Sequence, residues 1–147
     1  MALAMILAWY TILGVLACVG AIAITRSRLS PRIEQAVYAL LLIPVAGIYL
    51  AFVGYFGDGV TLRPELNAIA VFVVLALLGL RLPAVLILGY LLHGAWDLVH
   101  EASVHLGSAA GGGRRLSDIP LAYGAFCAAF DWCAAAYFVT RRRAWRE

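Results

Sequence analysis

A chain of 147 residues that is 65% hydrophobic and only 13% charged, with a mean hydropathy of +0.94, carries more apolar surface than a soluble domain of that size buries, so the expected solvent is lipid. The net charge of +3 does not point to nucleic acid, because all eleven basic residues are Arg and they cluster in short connectors beside apolar runs, where membrane topology signals sit. Cys18, Cys127 and Cys133 fall inside apolar segments, which argues against a disulfide framework and for buried thiols.

The first apolar run, about Ala2 to Thr25, is long enough to cross a hydrocarbon core of roughly 30 Å at about 1.5 Å per residue. It lacks a basic leader and continues past Val15-Leu16-Ala17-Cys18, so neither a signal peptide nor a lipoprotein anchor is expected. The connector Arg26 to Arg32 places Ser30 and Pro31 to start a second helix, about Ile33 to Phe56, with a kink expected near Pro44 and Gly47 and a turn at Gly57-Asp58-Gly59.

The stretch from Leu66 to His100 would be about 52 Å long as one helix, too long for one crossing. Gly79-Leu80-Arg81-Leu82-Pro83 supplies the break. A third helix is therefore expected over about Glu65 to Leu80 and a fourth over about Pro83 to His105. A glycine-rich loop, Gly107 to Ser117, leads to Ser117-Asp118 as an N-cap for a fifth helix, about Ile119 to Val139. The tail from Arg141 to Arg146, with Trp145, is the pattern of an interfacial anchor.

The expected fold is thus all-α, a five-transmembrane-helix bundle forming one integral membrane domain over residues 1–147. Five crossings put Arg26, Arg28, Arg32, Arg81, Arg141, Arg142, Arg143 and Arg146 on one side and Arg63, Arg114 and Arg115 on the other. The positive-inside rule then orients the chain with its N-terminus outside and its C-terminus cytoplasmic. The abundance of Ala, Gly and Leu without Lys points to a GC-rich bacterial genome, and the expected location is the bacterial cytoplasmic (inner) membrane.

One polar stretch interrupts this pattern, His93-Gly94-Ala95-Trp96-Asp97-Leu98-Val99-His100-Glu101. His93, Asp97 and His100 fall within about 60° of one another on a helix, and Glu101 extends the stripe. A charge at mid-bilayer costs at least ~2.5 kcal/mol, so such groups face the bundle interior and pair. Depth identifies partners: His93 lies about 15 Å from the cytoplasmic boundary, Asp131 about 18 Å and Cys127 about 12 Å from the outer one. Glu65 stands near the level of His100, and Tyr49 and Tyr55 are either donors to the site or part of the aromatic belt, the belt being preferred for Tyr55.

Three readings stay open at this point. His93, Asp97, His100 and Asp131 could ligate a divalent metal, zinc favoured, with Asp97, Asp131 and Glu101 as candidate catalytic carboxylates, although the His-Glu-x-x-His order of zinc proteases is absent. The pairs His93 with Asp131 and His100 with Glu65 could instead be interhelical bonds that fix packing. Carboxylates and imidazoles in series also suit a proton or ion path.

The segment Gly89-Tyr90-Leu91-Leu92-His93-Gly94-Ala95-Trp96-Asp97-Leu98-Val99-His100, followed by a glycine loop, a proline and Cys127-x-x-x-Asp131, resembles the DUF6010 family of small bacterial membrane proteins. The likeness lies mainly over residues 89–131. Tyr90 stands where that family has Trp, and Glu101 where it has a second His. The resemblance supports the choice of site residues and implies no reaction. Functionally the expectation is a metal-dependent membrane hydrolase acting on a lipid or apolar substrate, or else a non-enzymatic proton or ion pathway or an accessory subunit. Membrane lipid is the expected partner, with a homo-oligomer or a larger membrane complex left open.

Overall fold

The computed structural model describes residues 1–57, 59–107 and 116–146. Among them the chain is all-α, with five helices: α1 (Ala2–Arg28), α2 (Pro31–Phe56), α3 (Leu62–Gly79), α4 (Pro83–Leu106) and α5 (Tyr123–Arg141). A short 3-10 turn, Gly59–Thr61, precedes α3. Three segments, Ala2–Arg28, Pro31–Phe56 and Gly59–Gly79, are long and apolar enough to cross a membrane. In α4 the apolar character is diluted by the ionisable stripe.

Local signals explain most of the helix limits. Pro31 and Pro83 open α2 and α4, where the missing N–H costs nothing. Gly57 closes α2 in a left-handed conformation at φ 73°, which the absent Cβ permits. Asp58 of the expected turn, and most of the glycine loop with Arg114 and Arg115, lie outside the described residues.

Two limits differ from expectation. α3 starts at Leu62 rather than Glu65 because Pro64 sits in its first turn, whose N–H groups have no intrahelical acceptor. α5 starts at Tyr123 rather than Ile119, and Ser117-Asp118 is not its cap. Pro120 disfavours helical geometry at Ile119, and Ala122 then adopts φ 60°, a left-handed turn unusual for a residue with a Cβ.

The packing is inverted relative to a soluble domain. Trp9, Leu16, Ile24, Val71 and Leu77 are exposed, whereas Glu34, Glu65, His93, Asp97, His100 and Asp131 are buried. Such a contiguous apolar exterior marks a surface that meets lipid or another apolar partner. α5 packs closely against both α1 and α4, α3 joins α4 to α2, and α1 meets α2 only lightly. Gly14 makes the α1–α5 approach possible, since a Cβ there would collide with the Phe126 carbonyl. Between α2 and α5 no Cα pair among the described residues lies within 8 Å, so these helices flank a gap.

The inner half of the bundle is a close-packed plug in which Phe138 meets Tyr38 at 4.8 Å and Tyr90 at 4.9 Å between ring centroids. Beneath it, buried Glu34 at the start of α2 accepts hydrogen bonds from Tyr137 Oη (2.5 Å), Arg141 Nε (3.0 Å) and Nη2 (2.9 Å), and Trp145 Nε1 (2.9 Å). Trp145, expected as an interfacial anchor, is only 4% exposed because its indole N–H is used in this clamp.

Candidate functional site

Helical periodicity puts His93, Asp97, His100 and Glu101 of α4 on one buried stripe. α5 lies against this stripe because the contact positions are small. At Gly94 a Cβ would stand 2.7 Å from Trp132 Nε1, and at Gly124 it would stand 2.8 Å from Glu101 Cβ. Glycine at both positions brings Asp131 within reach of His93.

The polar groups divide into two clusters. In the inner one, His93 Nδ1 lies 2.7 Å from Asp131 Oδ2 and 3.1 Å from Asp97 Oδ2. Tyr49 Oη of α2 donates to Asp97 Oδ1 at 2.5 Å. Donor atoms of His93, Asp97 and Asp131 all fall within 4.8 Å of one another. Among the described residues His93 Nε2 is buried without a hydrogen-bond partner and Asp97 Oδ2 has none beyond its approach to His93 Nδ1, and Phe72 of α3 presents its ring to the imidazole at 4.8 Å.

The outer cluster joins three helices and the segment before α5. His100 Nε2 meets Glu65 Oε1 at 2.8 Å, and the same oxygen accepts the Ser117 backbone N–H at 3.2 Å. His100 Nδ1 faces the Trp96 carbonyl at 3.0 Å, which fixes the ring. Glu101 Oε2 accepts the Gly124 backbone N–H at 2.9 Å, and its Oε1 meets His105 Nε2 at 2.7 Å. Tyr49 separates the clusters by packing its ring, tilted by 40°, against His100, with ring centroids 4.2 Å apart.

Of the candidate ligands, His93, Asp97 and Asp131 are therefore brought together, and His100 stands outside their group with Glu65. Glu101, a candidate catalytic carboxylate, has both oxygens occupied in joining α4 to α5 and to His105. Both anticipated interhelical pairs, His93 with Asp131 and His100 with Glu65, are present. Tyr49 is buried in the site, whereas Tyr55 is 81% exposed.

The clamp on Glu34 escaped the sequence reading. A carboxylate at the start of α2 and Arg141 at the end of α5 share one end of the bundle, and that pairing of opposite charges was the available signal.

Chemically, the inner cluster holds two carboxylates and one imidazole away from water. Each buried anion there requires a compensating proton or cation. One imidazole nitrogen with two carboxylate oxygens suits zinc or a similar divalent ion, and three protein donors leave a coordination position open. A tetrahedral ion with bonds of about 2.0–2.2 Å holds its ligand atoms about 3.3–3.6 Å apart. The His93 contacts of 2.7 and 3.1 Å lie below that spacing and the group as a whole falls within 4.8 Å, so an ion would displace the proton between His93 and Asp131 and reposition the carboxylates.

A groove of about 340 Å³ runs between α2 and α5 and reaches this cluster, with Asp131 and Cys127 in its wall beside Leu41, Val45, Ile48 and Phe130. One family model, described as a family of unknown function (DUF6010), matches residues 9–144, well beyond the segment in which the likeness was first read. No curated protein and no solved structure matches the chain.

Proposed function

The chain belongs to the family of unknown function DUF6010, which implies no reaction; from the site itself we propose that it is a five-crossing membrane protein with a divalent-metal hydrolytic centre at His93, Asp97 and Asp131. Its substrate is a lipid or another apolar molecule. The distribution of Arg supports an N-terminus outside the bacterial inner membrane and a cytoplasmic C-terminus. The observation that carries the reading is the double placement of Asp131, which belongs both to the three-donor group and to the wall of an apolar groove.

In this reading His93, Asp97 and Asp131 hold the ion, and Tyr49 orients Asp97 through its other oxygen. When bound, such an ion would supply Lewis acidity toward water and a carbonyl-type bond. With Asp97 Oδ1 held by Tyr49, the Asp131 oxygen that does not face His93 would take the proton of the attacking water and return it to the leaving group, so protons balance over the hydrolysis. The aromatic plug of Tyr38, Tyr90 and Phe138 beneath His93 weighs against a polar file that reaches both faces.

A second reading rests on the direct pairs His93–Asp131 and His100–Glu65, which are what an accessory membrane subunit would use to fix its packing. Metal analysis of protein purified in detergent without chelators separates the two. The hydrolytic reading expects about one equivalent of zinc or a similar ion, lost in His93→Ala and Asp131→Ala. Wild-type protein that takes up no divalent metal sinks it and leaves the packing role.

A further inference from the structure

We propose that the α2–α5 groove receives the chain of an uncharged lipid directly from the bilayer, and that the group presented to Asp131 is itself uncharged, such as an ester, amide or alcohol. The second half of this inference rests on the hydrolytic reading. The first half stands on the groove alone.

Access to the groove is sideways. At its inner end α2 and α5 are bridged by Glu34 with Tyr137 and Arg141. At its outer end Phe52 of α2 meets Tyr123 of α5 edge-on at 4.9 Å. Between these closures the helices stand apart, and Leu41, Pro44 and Ile48 on the α2 side are exposed. In a membrane-spanning bundle an opening with both ends closed and apolar residues at its mouth faces lipid chains rather than water. Leu41 and Ile48 are seven residues apart, so the α2 wall offers about 10 Å of apolar length, enough to align an extended chain.

Charge selects the class of lipid. Among the described residues the groove is lined by no Lys or Arg, and beside Tyr123 and Cys127 its one acidic side chain is the Asp131 carboxylate. Arg141, at its inner end, is committed to Glu34. Asp131 is eight residues into α5, about 12 Å from the start of that helix. A phosphate drawn to that depth would leave water with no Lys or Arg of the groove to pair with, and the two charges of an ion held there would already be balanced by Asp97 and Asp131, so the placement is costly. An uncharged ester or alcohol bears no such cost.

The test uses the full chain in lipid nanodiscs with two diazirine probes, a photoreactive monoacylglycerol and a photoreactive phosphatidylglycerol carrying the same chain. Labelled positions are mapped by mass spectrometry, and bound metal is measured on the same samples. The monoacylglycerol is expected to label residues 41–48 and 123–131 in preference to the lipid-facing stretch 71–78. Val45→Trp, or Ile48→Trp if the first variant folds poorly, fills the groove and is expected to lower that labelling about tenfold, the ratio that corresponds to about 1.4 kcal/mol, with metal content unchanged. Labelling that is even over all exposed helices, or untouched by both Trp variants, overturns the proposal. Equal labelling of the groove by phosphatidylglycerol overturns its uncharged-lipid assignment. Groove labelling in protein that takes up no metal upholds chain binding and defeats the hydrolytic reading alone.

Discussion

Replacing Gly124 by Ala places a methyl group where α4 and α5 have no room for one. The added Cβ would lie 2.8 Å from Glu101 Cβ, 3.0 Å from Glu101 Oε2 and closer still to the Asp97 carbonyl oxygen. Carbon contacts are comfortable at about 3.5–4.0 Å, so the helices must part by roughly half an ångström or more at that level. The backbone carbonyl cannot swing aside as a side chain would. Overpacking of this kind costs about 1–3 kcal/mol, and weakening the bond from Gly124 N–H to the buried Glu101 carboxylate adds to it. A total of about 2–4 kcal/mol is expected. Because Asp131 lies two turns further along α5, the same displacement lengthens the 2.7 Å approach of His93 to Asp131, and zinc affinity should fall with stability. Gly20→Ala is the control: nothing lies within 4 Å of its added Cβ, and removing a glycine from a helix interior is worth about 0.5–1 kcal/mol in its favour. Thermal unfolding in detergent and zinc titration of both variants read the effect. A Gly124→Ala protein as stable and as zinc-competent as Gly20→Ala would refute the packing argument.

Three further outcomes follow from the same geometry. Glu34→Ala leaves Arg141 without its partner and removes the acceptor of the Trp145 indole, so a loss of about 3–5 kcal/mol is expected, seen in chemical unfolding and in a red-shifted emission as Trp145 gains access to water. His100→Ala should leave metal stoichiometry intact while lowering stability by about 3–5 kcal/mol, because Glu65 is left buried and unpaired; loss of metal in this variant would return His100 to the ligand set. Tyr49→Phe removes the bond to Asp97 Oδ1 and should weaken zinc binding about 10–100-fold without abolishing it, whereas Tyr55→Phe, on an exposed ring, should change nothing measurable.

Helix order was legible from hydropathy because runs of apolar residues of membrane length allow little else, and the break at Gly79–Pro83 followed from length alone. The start of α5 was not, since a serine and an aspartate before an apolar run read as a cap, and the Pro120 restriction with the left-handed turn at Ala122 wins locally. For the site, periodicity on α4 and depth along α5 were enough to pair His93 with Asp131 and His100 with Glu65. What depth could not resolve was rotation. His100 shares the stripe with His93 yet turns toward α3, and Tyr49 enters between them from α2, a helix that carries no ionisable residue at that level. The lateral groove depends on the α2 and α5 backbones standing apart between side-chain contacts at either end, which no linear pattern records.

The metal centre proposed at His93, Asp97 and Asp131 stands or falls on its ligand atoms. X-ray absorption at the zinc edge of the loaded wild-type protein is its most direct test. A shell of nitrogen and oxygen only is expected, at about 2.0–2.2 Å, with the outer-shell signature of a single imidazole that disappears in His93→Ala. A sulfur scatterer at about 2.3 Å would place the ion on cysteine, and two imidazoles would bring in a second histidine; either result contradicts a centre built from His93, Asp97 and Asp131.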